Sequence, residues 1–217
     1  MKIHPIRKTE LWLAQSVLAI AILLQIAVHS ISRDLALGPY YLIVGAEICL
    51  ALVLAFTSTK RHETKNYLHR NATILFLGLI SIANISSFIL VGRSLILGSI
   101  SITGFQLLLS ALAIFLTNII VFALWYWEID SPGLSGRQWS KNDKDFQFTQ
   151  QDLPRDFPDW QPTFADYLYL SSTNAINFAA SDTRPLSLQA KTLMGLQAMI
   201  SVFTLALIVA RSVNILG

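Results

Sequence analysis

Thr163-Phe-Ala-Asp-Tyr-Leu-Tyr-Leu-Ser-Ser-Thr-Asn-Ala-Ile-Asn-Phe-Ala-Ala-Ser-Asp-Thr-Arg-Pro185 is the stretch that sets this chain apart from a plain bundle of helices. Between Asp166 and Asp182 lie fifteen uncharged residues, 167–181. A bilayer-spanning helix needs about 20. So short an uncharged run suits a segment that enters a membrane and turns back, or one that lies at its surface. Its start carries a helix signal. Pro162 precedes Thr163, and Asp166 follows three residues later, in the spacing of a capping box. That spacing predicts a helix from Phe164 through Tyr167, Leu168, Tyr169 and Leu170 to about Ala175. The following Asn177-Phe-Ala-Ala-Ser-Asp182 is small, polar and poor as helix. Irregular backbone at membrane depth is tolerated only under a cover of protein or water. The reading is a half-helix, a short extended stretch, then Pro185 and a full span.

The rest of the chain fits that frame. Of 217 residues, 53% are hydrophobic and 13% charged, against about a quarter charged in soluble domains. Mean hydropathy is +0.54. So few charges cannot cover a soluble protein of this length. A soluble globular domain, a disordered chain and a disulfide-stapled module are excluded, and the single Cys49 makes no internal disulfide. The formal net charge of +3 is too small to imply nucleic acid. What remains is an all-α integral membrane protein. Five transmembrane helices are expected at 11–32, 35–59, 71–92, from near Gly104 to Trp127, and at 192–210. The polar, glycine-bearing start of the uncharged run 94–127 reads as a turn before the fourth. The half-helix and its loop then stand before the last span. The first apolar run is too long for a cleavable signal peptide and reads as a signal anchor. Residues 128–166 carry eight acidic residues and four prolines, and read as an extended, solvated segment outside the bilayer.

With these residues in view, Asp166 to Ser187 resembles the pore loop of potassium channels. That family has an aromatic-rich pore helix, a Thr-Val-Gly-Tyr-Gly-Asp filter, a nearby proline and an inner helix. Aligned without gaps, Leu168, Tyr169 and Ser171 match the pore helix, Asp182 the aspartate after the filter and Pro185 the proline. Leu188, Ala190 and Lys191 fall at the start of the inner helix. The resemblance implies two parts: a three-span N-terminal bundle at 1–103, and a channel-like module at 104–217. It places Asn177, Phe178, Ala179, Ala180 and Ser181 in the filter, followed by Asp182. Asn174 and Asn177 would form rings of amide oxygens. Ala179 and Ser181 stand where the family has glycines, which let successive carbonyls aim at the ion. The filter is therefore non-standard. Ser201 takes the hinge position of the inner helix. The whole chain, through Thr117-Asn-Ile-Ile-Val-Phe-Ala-Leu-Trp-Tyr-Trp-Glu-Ile-Asp130 and Trp160-Gln-Pro-Thr-Phe-Ala-Asp-Tyr-Leu-Tyr-Leu170, also resembles a family of bacterial inner-membrane proteins with no known activity. That implies a multi-pass protein of the bacterial inner membrane.

The implied function is passive passage of monovalent cations through a homotetrameric pore, since one half-helix cannot enclose a path. Each half-helix would point its partly negative carboxyl end at the cavity. The acidic segment and Asp182 would gather cations at the mouth. The alternative is a non-conducting membrane scaffold of the same fold. The expected partners are the lipid bilayer and monovalent cations, with no nucleic acid, cofactor or metal. No enzyme is expected: there is no phosphate loop, no nucleophile elbow and no His-Glu-x-x-His.

Charge placement sets the orientation. Lys2, Arg7, Lys8 and the loop residues Lys60, Arg61, Lys65 and Arg70 share one side, which reads as cytoplasmic, with the N-terminus. Five spans put the acidic segment on that side too, whereas potassium channels admit their pore loop from outside. An inverted pore, as in ionotropic glutamate receptors, a different span count or a chance resemblance would each reconcile the two. Glu47 lies mid-span and reads either as an ion or proton relay or as a packing residue beside Gly45 and Ala46. Asn84 and Asn118 read as interhelical hydrogen-bonding residues. Trp125, Tyr126 and Trp127 read as an interfacial aromatic belt.

Overall fold

In lipid a chain must satisfy its backbone within itself, so long apolar runs become helices. The computed structural model describes residues 8–31, 44–49, 51, 67–97, 103–130, 144–179 and 182–216. In chain order they form α1 (Lys8–Ile31), α2 (Tyr67–Leu97), α3 (Gly104–Asp130), β1 (Phe146–Phe148), α4 (Thr149–Asp152), α5 (Phe164–Asn177), β2 (Thr183–Pro185) and α6 (Leu188–Leu216). The fold is mostly helical. Four of these helices are long and apolar enough to cross a membrane, over Thr9–Ile31, Asn71–Ser94, Gly104–Asp130 and Leu188–Ala210. The protein is accordingly a multi-pass helical membrane protein by class. Of the expected second span, residues 44–49 and 51 are helical, and the rest lie outside the described residues.

Local sequence sets where these helices start. At the entry to α3 the Gln106 side chain accepts the Thr103 N–H at 2.9 Å, and the Thr103 hydroxyl accepts the Gln106 N–H at 3.3 Å. This reciprocal pair is a capping box. Ser187 caps α6, its hydroxyl accepting the Ala190 N–H at 3.0 Å. For that reason α6 begins at Leu188, one turn earlier than hydropathy alone suggests.

The central element is α3. Within its most apolar stretch 78% of residues are buried, against 33% for α1, 28% for α2 and 22% for α6. Lateral ties fix the helix directions. Gln106 near the start of α3 donates to the Ile31 carbonyl at the end of α1 (3.2 Å). Trp125 near the end of α3 donates to Ser81 of α2 (2.9 Å), while Val91 clusters with Leu107. Tyr126 meets Gln197 early in α6, and Phe115 clusters with Leu205 and Ile208 further along it. Thus α1, α2 and α6 all run opposite to α3. One apolar cluster joins Ala14, Phe76, Tyr126, Tyr167 and Met194, so the core is continuous across the expected boundary near residue 103.

Parts of the acidic segment depart from the solvated reading. β1 pairs antiparallel with β2, with Phe146 opposite Pro185 and Phe148 opposite Thr183. Alternation sends Phe146 and Phe148 inward and Gln147 outward. Phe146 stacks edge-on against Tyr126 at 5.2 Å, and Phe148 against Tyr167 at 5.4 Å. Residues 152–159 are exposed, as expected. Glu128 and Asp130 are buried at the end of α3 and do not belong to the solvated acid. The aromatic belt is also corrected: Tyr126 and Trp127 are buried, because the sheet and α5 cover that end of α3.

Candidate functional site: the seat of the half-helix

α5 begins where the sequence places it and runs two residues past Ala175 to Asn177. The Asp166 carboxylate accepts both the Thr163 N–H and the Thr163 hydroxyl, each at 2.7 Å. A carboxylate in the first turn also suits the positive end of the helix dipole. Phe164 packs on Trp127 with ring centroids 5.2 Å apart, so α5 starts level with the end of α3. Thirteen residues on, its other end lies elsewhere. Ser171 donates its hydroxyl to the Ile119 carbonyl at 2.7 Å, and Ala175 clusters with Phe115 and Ile119. Those residues sit near the midpoint of Gly104–Asp130. α5 thus descends along α3 and ends halfway down it.

Two polar clamps hold it there. The outer clamp is Asp130. Its Oδ1 accepts the N–H groups of Asp145 (2.6 Å) and Phe146 (2.9 Å), and its Oδ2 accepts the Tyr167 hydroxyl at 2.6 Å. One carboxylate thereby joins α3, β1 and α5. Ser187 adds a hydrogen bond from its hydroxyl to the Asp145 carboxylate.

The inner clamp centres on Gln197 of α6. Its Oε1 accepts the Tyr126 hydroxyl (2.5 Å) and the Asn174 amide (2.8 Å). Its Nε2 donates to the Ser171 hydroxyl (2.6 Å) and the Ser171 carbonyl (3.0 Å). Asn174 also donates to the Met194 carbonyl at 3.0 Å. All four side chains are buried, and Gln197 makes four hydrogen bonds, the capacity this geometry offers its amide. Lower down, Asn118 donates to Ser201 at 3.0 Å.

These positions redistribute the residues singled out from sequence. Asn174 is 2% exposed, and its amide is spent on bonds within the chain. It faces a different way from the pore-lining role expected of it. Ser201 lies within an unbroken α6, bonded to Asn118. Asn177, Phe178 and Ala179 are exposed at the tip of α5, and Asp182 is half-buried just before β2. Ala180 and Ser181 lie outside the described residues. Glu47 is buried against α1, where Gln25, with its amide turned to suit its neighbours, donates to the carboxylate at 2.9 and 3.2 Å. Among the described residues no three His, Cys, Asp or Glu side chains gather as a metal site. The chemistry on offer is that of amide, hydroxyl and carbonyl groups, with the buried Asp130 carboxylate at the outer end. Sequence reasoning missed Gln197, Tyr126, Asp130 and Tyr167. A signal existed for Gln197, which carries the one amide side chain in the apolar run 192–210.

Family models, curated proteins and solved structures yield no match to this chain. The class of the protein rests on its helices, and any reading of its action rests on the seat of α5.

Proposed function

We propose that α3, α5 and α6 form the pore-loop unit of a cation channel-like protein, assembled as a homotetramer in a bacterial inner membrane. The observation that carries this reading is α5 itself, a half-helix that starts level with Trp127 and stops beside Phe115 and Ile119. Phe178 at its tip and Thr183 in β2 are five residue steps apart, a reach of at most about 18 Å. Thr183 pairs with Phe148, which touches Tyr167 in the first turns of α5. The chain therefore comes back to the level at which it went in. That supports a re-entrant reading of the segment.

The surroundings support a shared axis. α6 is the least covered of the four long helices, and exposes Leu196, Met199, Phe203 and Val209. The tip residues Asn177, Phe178 and Ala179 are exposed as well. Backbone at that depth needs protein or water against it. Neighbouring copies supply both, with α5 pointing its partly negative end inward. Exposed Asp152, Asp156 and Asp159 lie at the entry side and favour cations there. The helix directions support a fifth crossing. α1 and α2 run the same way, which one more crossing between them would explain, and Val44 and Glu47 are buried on that route.

Reconstitution into liposomes tests the proposal. Cation flux above anion flux is expected, lowered by Asn177→Ala, with relative permeabilities shifted by Ala179→Gly. No cation-selective flux from the protein or either variant, at any applied voltage, counts against it. A second reading, a non-conducting scaffold of the same fold, is favoured by one observation: the exposed tip of α5 carries a bulky Phe178, a residue large enough to plug the filter.

A further inference from the structure

Phe178 closes α5 with φ 57° and ψ 20°, in the left-handed region. It is the one non-glycine residue with positive φ among the described residues. Glycine or asparagine commonly ends a helix in this conformation, and a bulky side chain is strained there. Asn177 stands one position earlier, yet the aromatic residue takes the strained place. Deep burial does not explain it. Phe178 is 46% exposed, whereas Tyr126 and Tyr167 are fully buried. The helix behind it is fixed by Tyr167 on Asp130, Ser171 on Ile119 and Asn174 on Gln197. A rigid half-helix thus presents a large apolar ring at mid-depth of the bundle.

We propose that Phe178 is the constriction of the pore, its rings from adjacent copies closing the path at the half-helix tips by excluding water. This rests on the pore reading above. The clamps on α5 stop the tip from yielding.

Phe178→Gly is the direct test, because glycine adopts the same backbone without strain and folding is not put at risk. Phe178→Leu keeps a smaller apolar side chain. Both are compared with the unaltered protein in liposomes by rubidium tracer flux. The expected result is low flux from the unaltered protein, a rise on the order of tenfold or more for Phe178→Gly, and a smaller rise for Phe178→Leu. The melting temperature of the glycine variant should equal or exceed that of the unaltered protein. Equal flux from the unaltered protein and Phe178→Gly overturns the constriction and leaves the pore reading standing. No flux from any of the three removes the pore reading, and the constriction with it.

Discussion

Gln197 is a single amide on which three helices converge, and lipid makes such residues decisive. Apolar side chains gain little by leaving hydrocarbon for a protein core, so packing and hydrogen bonds choose how helices associate. Replacing Gln197 with Leu takes the acceptor from the Tyr126 hydroxyl and removes one bond from Asn174 and two from Ser171, at a cost of about 1–3 kcal/mol. Thermal unfolding in detergent measures it. Asn174→Ala and Gln197→Ala should be coupled by about 0.5–3 kcal/mol in a double-mutant cycle, since they share one bond. Strict additivity would show that the clamp is not a unit. Asp130 makes a matching prediction. Asp130→Ala frees two backbone N–H groups and the Tyr167 hydroxyl. Amide exchange at Phe146 should then speed up by at least an order of magnitude, about 1.4 kcal/mol. Unchanged exchange would assign the strand's anchorage to its aromatic contacts alone.

At the scale of elements, the long helices and α5 were legible for opposite reasons. The long runs announce themselves by lacking charge. α5 announces itself by being too short to cross, with Thr163 and Asp166 marking its start. The small sheet was not legible. Phe146 and Phe148 form an alternation of three residues inside a proline-rich, acidic stretch, and the partner strand lies beyond α5. Only the fold brings Thr183 opposite Phe148. Tyr126 and Trp127 misled for a related reason: an aromatic cluster at a helix end reads as a belt until something covers it, and β1 and α5 do. Phe148→Ala tests how far the sheet supports α5. It removes contacts to Trp160 and Tyr167, and should cost about 3–5 kcal/mol, as other buried Phe→Ala changes do. By contrast the exposed Arg184–Asp152 ion pair should be worth at most about 1 kcal/mol, and removal of its charge should barely move the melting curve.

At the scale of the molecule, the helix directions put the start of α1, the 144–163 segment and the entry of α5 at one end of the bundle. The ends of α1 and α2 lie at the other. In a Cys49→Ser background, cysteines at exposed Asp159 and exposed Arg93 should therefore react with an impermeant thiol reagent from opposite faces of the membrane. From the charge rule, labelling of Asp159 is expected from the cytoplasmic face. Labelling of both from one face would break the alignment of helices with the membrane normal. The sequence carried the parity of this arrangement through its charges. It could not show that Asn174 turns inward and leaves Asn177 at the tip, because both are polar residues on one short helix. Which of them faces the core of the bundle depends on where Gln197 stands.

On the proposed pore reading, one chain supplies only a quarter of the path, with α5 and α6 meeting their counterparts about an axis. Native mass measurement of the complex, extracted with its surrounding lipid, tests this most directly. Four copies are predicted. A monomer or a dimer as the sole species would rule out the tetrameric pore, because two half-helices cannot enclose a central path.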